Sequence, residues 1–343
     1  MDLALSLAYA PWIRLEEQIE LATLADELGF HSAWVAETWG QDATAVLGMI
    51  AGRTQHIRLG AAIMQIPARQ PTTTASAAST IDQLSGGRMM LGLGLSGPQV
   101  SEGWYGVPFV SPLGRTREYI DIVRLAWSHE PVQYQGKHWQ LPNLTEGLGL
   151  GKPLKMIGRP VQETIPIYLG VMGEKTVHQC GQIADGWLPA FYSPQYADML
   201  NQPLLDGIAA AGRRREDVKI APNVPIALAG TTEEARDMLR PILTFYFGAM
   251  GAKDKNFYVE LAGRYGLGDV ATACQRAFLA GDRMAAAAAL TPELIDLAAI
   301  AATPATLERR LGAYADCGVD TLIALPFGDR PAILRTLAAY LPA

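Results

Sequence analysis

The sequence predicts one (β/α)8 barrel domain over residues 1–343, in which eight parallel strands alternate with eight helices. Short apolar runs alternate with amphipathic runs along the whole chain. The strand-like runs are mostly apolar, as is typical of parallel strands that are covered by helices. A length of 343 residues also lies within the range of one such barrel, roughly 200 to more than 400 residues. Eight units favour a closed barrel over an open sheet.

The first four strand–helix units have the clearest pattern. Their predicted strands are Leu3–Ala8, Ser32–Ala36, Ile57–Met64 and Arg88–Leu95, and their predicted helices are Leu15–Leu28, Ala43–Gly52, Thr72–Leu84 and Arg115–Trp127. Gly29 stands where the C-terminal cap of the first helix belongs, because glycine readily adopts the left-handed conformation of such caps. The turn Ser85-Gly86-Gly87 closes the third helix in the same way.

The second half repeats the alternation less regularly. Its predicted strands are Ile165–Leu169, Gly186–Pro189, Val218–Leu228 and Val319–Leu325, and its predicted helices are Glu174–Cys180, Pro194–Ala211, Thr232–Phe247 and Pro304–Cys317. Two insertions interrupt the pattern: Pro131–Thr164, after the fourth strand, contains a predicted hairpin, and Gly251–Thr303, before the eighth, is Ala-rich and helical. Long insertions in barrels commonly form lids or pocket walls, so we expect the substrate pocket there.

Composition and charge exclude several classes of protein. A net charge of −6 argues against nucleic-acid binding, which requires a basic face. The longest apolar stretch, Met284–Leu290, is too short to cross a bilayer, and the acidic N-terminus does not resemble a signal peptide. The cysteines Cys180, Cys274 and Cys317 are too far apart for a metal site and are expected to be reduced and buried. These features predict a cytoplasmic protein that binds a small molecule.

Motifs for other chemistry are weak. Gly92–Gly97 has the spacing G-x-G-x-x-G, but Pro98 follows, Trp104–Gly106 is predicted to be a loop, and no acid ends a following strand. The segment is better interpreted as a glycine-rich turn after the fourth strand. The five histidines lack metal-ligand spacing, and no G-x-S-x-G motif is present. We therefore expect neither a metal nor a nucleophilic serine.

Polar residues follow several predicted strands, where barrel enzymes place their catalytic groups. They are Glu37-Thr38-Trp39, Gln65, Ser96-Gly97 and Val171-Met172-Gly173, whereas none of the five histidines stands just after a strand. The segment from Gly173 to Thr176 also opens a predicted helix. Its free N–H groups, with Lys175 and Thr176, are typical of an anion site.

An ordered set of segments resembles the bacterial luciferase-like superfamily, in particular the branch that uses the deazaflavin coenzyme F420. The segments are Ser32–Trp39, Leu59–Ile63, Leu84–Arg88, Gly92–Pro98 and Ile183–Trp187. The similarity runs from Leu3 to about Pro189 and returns at Pro304–Leu325. The resemblance implies a barrel with a deazaflavin across its C-terminal mouth, and a homodimer.

The resemblance also implies roles for individual residues. The Ala62–Ile63 peptide is expected to be cis and to support the middle ring, and Glu37 to contact the ring head as the candidate catalytic residue. Near the rings and the ribityl chain we expect Gln65, Leu95 and Ser96, and around the phosphate Val171, Met172, Gly173, Lys175 and Thr176.

Departures from the family pattern bear on the reaction. Thr38 occupies the position where relatives that oxidise alcohols or sugar phosphates carry a histidine, the usual proton acceptor near neutral pH. Gly97-Pro98-Gln99 also replaces the acid of the sugar-phosphate enzymes. We therefore expect a reductase of an activated double bond, imine or carbonyl, with Glu37, Glu102 or Tyr105 assisting the proton. The alternatives are an FMN-dependent monooxygenase and a non-catalytic flavin-binding barrel.

Overall fold

A computed structural model describes residues 1–145, 147–252 and 254–342. Its strands are β1 Asp2–Leu7, β2 Ser32–Val35, β3 Arg58–Ala61, β4 Met64–Gln65, β5 Met89–Gly94, β6 Tyr134–Gln135, β7 Gln140–Leu141, β8 Ile167–Leu169, β9 Gly186–Trp187, β10 Lys219–Ile220, β11 Asn223–Leu228, β12 Ile300–Ala302 and β13 Thr321–Phe327. All are parallel to their partners except the hairpin β6–β7, in which Tyr134 pairs with Leu141.

The parallel strands form a ring. Its order is β1, β2, β3, β5, β8, β9, β10 and then β11, β13 and back to β1. The predicted seventh strand is interrupted: β10 pairs with β9, whereas β11 pairs with β13. A parallel bridge between Ala190 and Asn223 joins the two halves of the ring. The eight-stranded barrel is thereby closed, as the alternation predicted.

Helices surround this ring. They are α1 Leu15–Glu27, α2 Ala43–Ala51, α3 Pro71–Ser85, α4 Pro98–Gly103, α5 Pro112–Trp127, α6 Glu174–Ile183, α7 Ala197–Ala210, α8 Thr232–Ala249, α9 Phe257–Arg264, α10 Gly268–Leu279, α11 Arg283–Ala289, α12 Pro292–Ala298, α13 Pro304–Asp316 and α14 Arg330–Ala338. The helix after the last strand is α14, which the alternation pattern missed. Arg330 attaches it to α1 through Glu17, 2.7 Å away.

Two apolar layers hold the barrel together. The larger lies between strands and helices, and the smaller fills the barrel interior around Trp34, Met90, Tyr168 and Ile323. The rings of Trp34 and Tyr168 meet edge to face with centroids 5.1 Å apart. A Cβ on Gly60 would lie 2.2 Å from the Trp34 ring, so this position must be glycine for the indole to fit. The interior is therefore a packed core below the mouth.

After Gly97 the short helix α4 begins, with Pro98 in its first turn, where a missing N–H costs nothing, and Trp104–Gly106 then lie outside any helix or strand, as predicted. Two predicted segments differ from the structure. The predicted strand Ile57–Met64 is split into β3 and β4, with the cis peptide Ala62–Ile63 between them. The segment Gly251–Thr303 contains β12 as well as helices, and β12 extends the sheet beside β11.

Other expectations have mixed outcomes. No helix among the described residues is long and apolar enough to span a membrane. None of the three cysteines forms a disulfide; Cys180 and Cys274 are buried, but Cys317 is only half-buried, contrary to the prediction.

Candidate functional site at the mouth of the barrel

The carboxyl ends of β2, β4, β5 and β8 meet at one mouth. The peptide Ala62–Ile63 is cis, as predicted, and it places the Ile63 side chain at this mouth. A Cβ on Gly94 would lie 2.7 Å from Ile63 Cδ1, and one on Gly170 would lie 2.8 Å from its Cγ2. Both glycines are therefore required for Ile63 to lie between β5 and β8. Ile63 and Leu95, each half-buried, form an apolar part of the surface.

Glu37 is buried at the end of β2 and accepts four hydrogen bonds. Arg69 donates from Nη1 to Oε2 at 2.7 Å and from Nη2 to Oε1 at 2.6 Å. The backbone N–H groups of Ala43 and Gln65 donate to the same carboxylate at 3.2 and 3.0 Å. Both carboxylate oxygens are thus occupied by donors, which is the environment of an anion rather than of a proton donor.

Arg69 links Glu37 to the surface. Its second partner is Asp42 at 2.6 Å, whose side chain is about half exposed. Burial lowers the pKa of Arg69, but its bonds to Glu37 and Asp42 outweigh burial and raise that pKa above the ordinary value. For Asp42 the signs are reversed. Burial raises the pKa of its carboxyl, but the hydrogen bonds from Thr44, Ala45 and Arg69 lower that pKa by more, so the net shift is downward. Arg69 and Asp42 are therefore both charged throughout the neutral range.

A chain of short polar contacts runs along the other edge of the mouth. The Tyr105 hydroxyl donates to Gln65 Oε1 at 2.5 Å, and Gln65 Nε2 donates to Ser96 Oγ at 2.5 Å. Ser96 has a φ of 59°, a left-handed conformation that turns the chain from β5 into α4. Burial, followed by the field of Glu37, raises the pKa of Tyr105. The phenol therefore stays protonated and acts as a donor.

The remaining candidate proton group, Glu102, makes a different contact. Glu102 is exposed on α4 and accepts from the Phe109 N–H at 3.0 Å. It stabilises the loop after α4, so the structure gives it a local structural contact.

The start of α6 forms a second part of the site. Gly173 is its N-cap without a side-chain cap, and the Thr176 hydroxyl donates to the Gly173 carbonyl at 2.7 Å. Arg264 on α9 donates to the Met172 carbonyl at 3.3 Å. Together with Lys175 they line a cavity of about 390 Å³. Glu174 and Glu260 line the same cavity, so a phosphate group there would be held by the helix N–H groups, Lys175 and Arg264 beside two carboxylates.

Val171 connects this segment to the barrel. Its carbonyl accepts a hydrogen bond from Trp187 Nε1 at 2.8 Å, and Gly170, the preceding residue, contacts Ile63. The predicted ring residues and the predicted phosphate residues therefore lie along one continuous edge of the mouth, from β4 across to α6.

A second cavity lies over β5 toward the hairpin β6–β7, again of about 390 Å³. We call it the Arg115 cavity; it is lined by Arg69, Leu95, Phe109, Arg115, His138 and Trp139, among others. His138 Nε2 lies 3.1 Å from Ser111 Oγ. His138 does not follow a barrel strand, but it lines this cavity because the hairpin folds back over α5 and carries it there.

Sequence reasoning missed four basic side chains of the site. Arg69, Arg115, His138 and Arg264 come from a loop, two helices and a hairpin, with no motif around them. The sequence offered one signal for His138 and Arg264, namely the prediction that the insertions Pro131–Thr164 and Gly251–Thr303 would line a pocket. Among the described residues, no group of three or more His, Cys, Asp or Glu side chains could hold a metal ion.

Comparison with known proteins agrees with this geometry. The luciferase-like monooxygenase family model matches residues 3–321. A Mycobacterium tuberculosis protein named "Putative coenzyme F420-dependent oxidoreductase" is 41% identical over 343 residues, 99% of this chain and 98% of that protein. The 5,10-methylenetetrahydromethanopterin reductase of Archaeoglobus fulgidus is 26% identical over 93% of this chain and 92% of its own length.

A solved structure has the same fold. The coenzyme F420-dependent tetrahydromethanopterin reductase of Methanopyrus kandleri aligns with a TM-score of 0.82 over 99% of this chain and 98% of its own, at 22% identity. The family match, the relative that is 41% identical over nearly the whole chain and the shared barrel agree. The chain belongs to the luciferase-like monooxygenase family.

Proposed function

We propose that this protein is a coenzyme F420-dependent oxidoreductase that transfers a hydride between the deazaflavin C5 and a small organic substrate, working as a reductase. The observation that carries the coenzyme assignment is the relative of 41% identity, whose name specifies F420 and which aligns over 99% of this chain. We also propose a cytoplasmic homodimer, which the family resemblance of the sequence implies.

The residues of the mouth fit this coenzyme. The α6 N-terminus, Lys175 and Arg264 would hold its phosphate, since free N–H groups and two cations match one phosphodiester. Ile63 and Leu95 would support the rings, while Gln65, Ser96 and Tyr105 offer donors and acceptors at the ring edge. When bound, the coenzyme supplies the hydride chemistry at C5, and the protein supplies orientation and a dry pocket.

The proposed reductive direction rests on which side chains at the mouth can donate or accept a proton. Thr38 follows Glu37 in place of a histidine, and Glu37 is held as an anion by Arg69. The protonated Tyr105 hydroxyl could donate to a developing oxygen or nitrogen anion if it exchanged its hydrogen bond to Gln65 Oε1 for one to the substrate, which suits addition of hydride to a carbonyl or imine. Alcohol oxidation would instead need a base at the mouth. His138 is the one described histidine placed to challenge this assignment.

Coenzyme titration tests the proposal. Purified protein is titrated with F420 and, in parallel, with FMN, and binding is followed by fluorescence quenching. We expect colourless protein that binds F420 more tightly, and Lys175→Gln or Arg264→Gln to weaken that binding by about tenfold or more. The matched control is Lys137→Gln, an exposed lysine on the hairpin turn. Yellow protein that retains FMN and ignores F420 would instead identify the monooxygenase alternative.

Turnover separates an enzyme from a binding-only barrel. Reduced F420 is mixed with enones, imines and aldehydes, oxidised F420 is mixed with alcohols, and the coenzyme absorbance is followed. We expect oxidation of the reduced coenzyme to be the detectable reaction. Coenzyme binding without turnover in either direction across the panel would support the non-catalytic barrel.

A further inference from the structure

We propose that the Arg115 cavity is the substrate site and that it selects a small organic carboxylate, whose anionic group is bound by the Arg115 guanidinium. This deepens the proposed function, because it names the substrate class of the same barrel mouth. The reaction of the bound carboxylate rests on the proposed function, whereas the binding of an anion is argued from the cavity alone.

Arg115 has no partner for its charge among the described residues. Within residues 1–145, 147–252 and 254–342, its side chain forms no hydrogen bond and no ion pair; the side chain is half-buried, and its Nε is buried without an acceptor. Its guanidinium carbon lies 5.7 Å from the centre of the Trp139 ring, which fixes the side chain against the cavity wall. A buried donor left unpaired is costly, and an arginine fork matches a carboxylate with two parallel hydrogen bonds.

Two further basic side chains, Arg69 and His138, line the cavity with Arg115, and Lys255 lies over the Phe109 ring at 5.8 Å. The charge of Arg69 is already paired with Glu37 and Asp42, so Arg115 is the cavity-lining arginine that has no carboxylate partner among the described residues. Neither Asp nor Glu lines this cavity in the part of the chain that the structure describes. Such a cavity attracts an anion.

The remaining walls suit an apolar substrate body. Phe109 and Trp139 offer aromatic faces, and Leu95 joins the cavity to the predicted position of the coenzyme rings. A cavity of about 390 Å³ has room for a small molecule. A carboxylate on Arg115 would therefore direct the opposite, reducible end of the substrate toward Leu95 and the barrel mouth.

Cinnamate and its neutral methyl ester are a suitable pair of probes, because they share the conjugated double bond and differ in charge. Their affinities are measured by calorimetry with the full-length protein loaded with F420. We expect cinnamate to bind at least about tenfold more tightly than methyl cinnamate, and Arg115→Gln to remove that preference. Arg115→Lys should restore part of it, since a lysine keeps the charge but not the planar fork. Phosphate is titrated as a competitor, and weak competition is expected from an anion without an apolar body.

Arg117→Gln is the matched control, because Arg117 lies two residues along α5 and contacts Gln182 outside the cavity. It should bind cinnamate as the wild type does. F420 affinity is measured for every variant and should not change. The proposal is overturned if Arg115→Gln and Arg115→Lys both bind cinnamate normally, if the ester binds as well as the acid, or if Arg115→Gln weakens F420 binding instead. Failure of F420 to bind the wild type would refute the proposed function, and cinnamate titration of the coenzyme-free protein would then test the cavity by itself.

Discussion

Replacing Glu37 with glutamine tests the central ion pair of the mouth. The glutamine keeps the shape of the side chain but turns one acceptor oxygen into an NH2 donor. That donor would face Arg69 or a backbone N–H, all of which are donors themselves. The substitution therefore leaves a buried guanidinium with half of its bidentate contact and adds an unfavourable donor–donor approach.

The expected cost follows from burial. The Glu37 side chain is 3% exposed and that of Arg69 is 13% exposed, so the pair is largely shielded from water. Removing one partner of a buried ion pair costs about 3–5 kcal/mol. Arg69 keeps Asp42 as a partner, and glutamine keeps one acceptor, so we expect a loss near the lower end, about 3 kcal/mol of unfolding free energy.

Equilibrium urea denaturation, followed by tryptophan fluorescence, measures the change. The matched control is Asp42→Asn, which removes the exposed partner of Arg69 but preserves the α2 cap, since asparagine caps as well as aspartate. It should cost less than about 1 kcal/mol. A Glu37→Gln protein within that same margin of the wild type would refute the reasoning. If it kept its stability and F420 affinity but lost turnover, Glu37 would be catalytic, as the sequence alone suggested.

Other consequences can be checked independently. Gly92→Ala would place a Cβ 1.8 Å from a backbone carbonyl oxygen and should cost about 3 kcal/mol in urea denaturation, whereas Gly48→Ala in the open interior of α2 should be neutral or stabilising; equal stability would contradict this packing. Burial raises the pKa of Asp26, but the N–H groups of residues 55–57 lower it more, so its net shift is downward. Its contribution to stability is complete above the unfolded pKa near 4 and is lost as pH falls through the lower folded pKa; Asp26→Asn should flatten this acid-side loss in a pH series of melting curves. His138→Gln should retain reductase turnover with unchanged F420 affinity, and an inactive variant that binds F420 normally would show that His138 handles the proton.

The sequence by itself determined the barrel and much of one edge of its mouth. A strand that is apolar on both faces is buried on both faces, as in a parallel sheet covered by helices. This burial depends on the residue types within the strand, so the sequence alone predicts it. The ordered motifs added the cis peptide at Ala62–Ile63, which periodicity could not indicate. Glu37, Gln65 and Ser96, each placed just after a strand, do meet at one mouth. Splits within strands and the short helix α4 were not predicted, because they depend on single peptide conformations and on neighbouring segments.

Only the tertiary structure decided which charges meet. Arg69 pairs with Glu37 across 32 positions, and Arg264 reaches the Met172 carbonyl across 92. Arg115 and His138 share a cavity because the hairpin folds over α5. Periodicity says which face of an element is buried, but not which distant side chain it will face. Those contacts are fixed by closure of the ring and by the path of the insertions. Only the folded chain therefore shows that Glu37 is bound by Arg69 as an anion and that Arg115 has no carboxylate partner among the described residues.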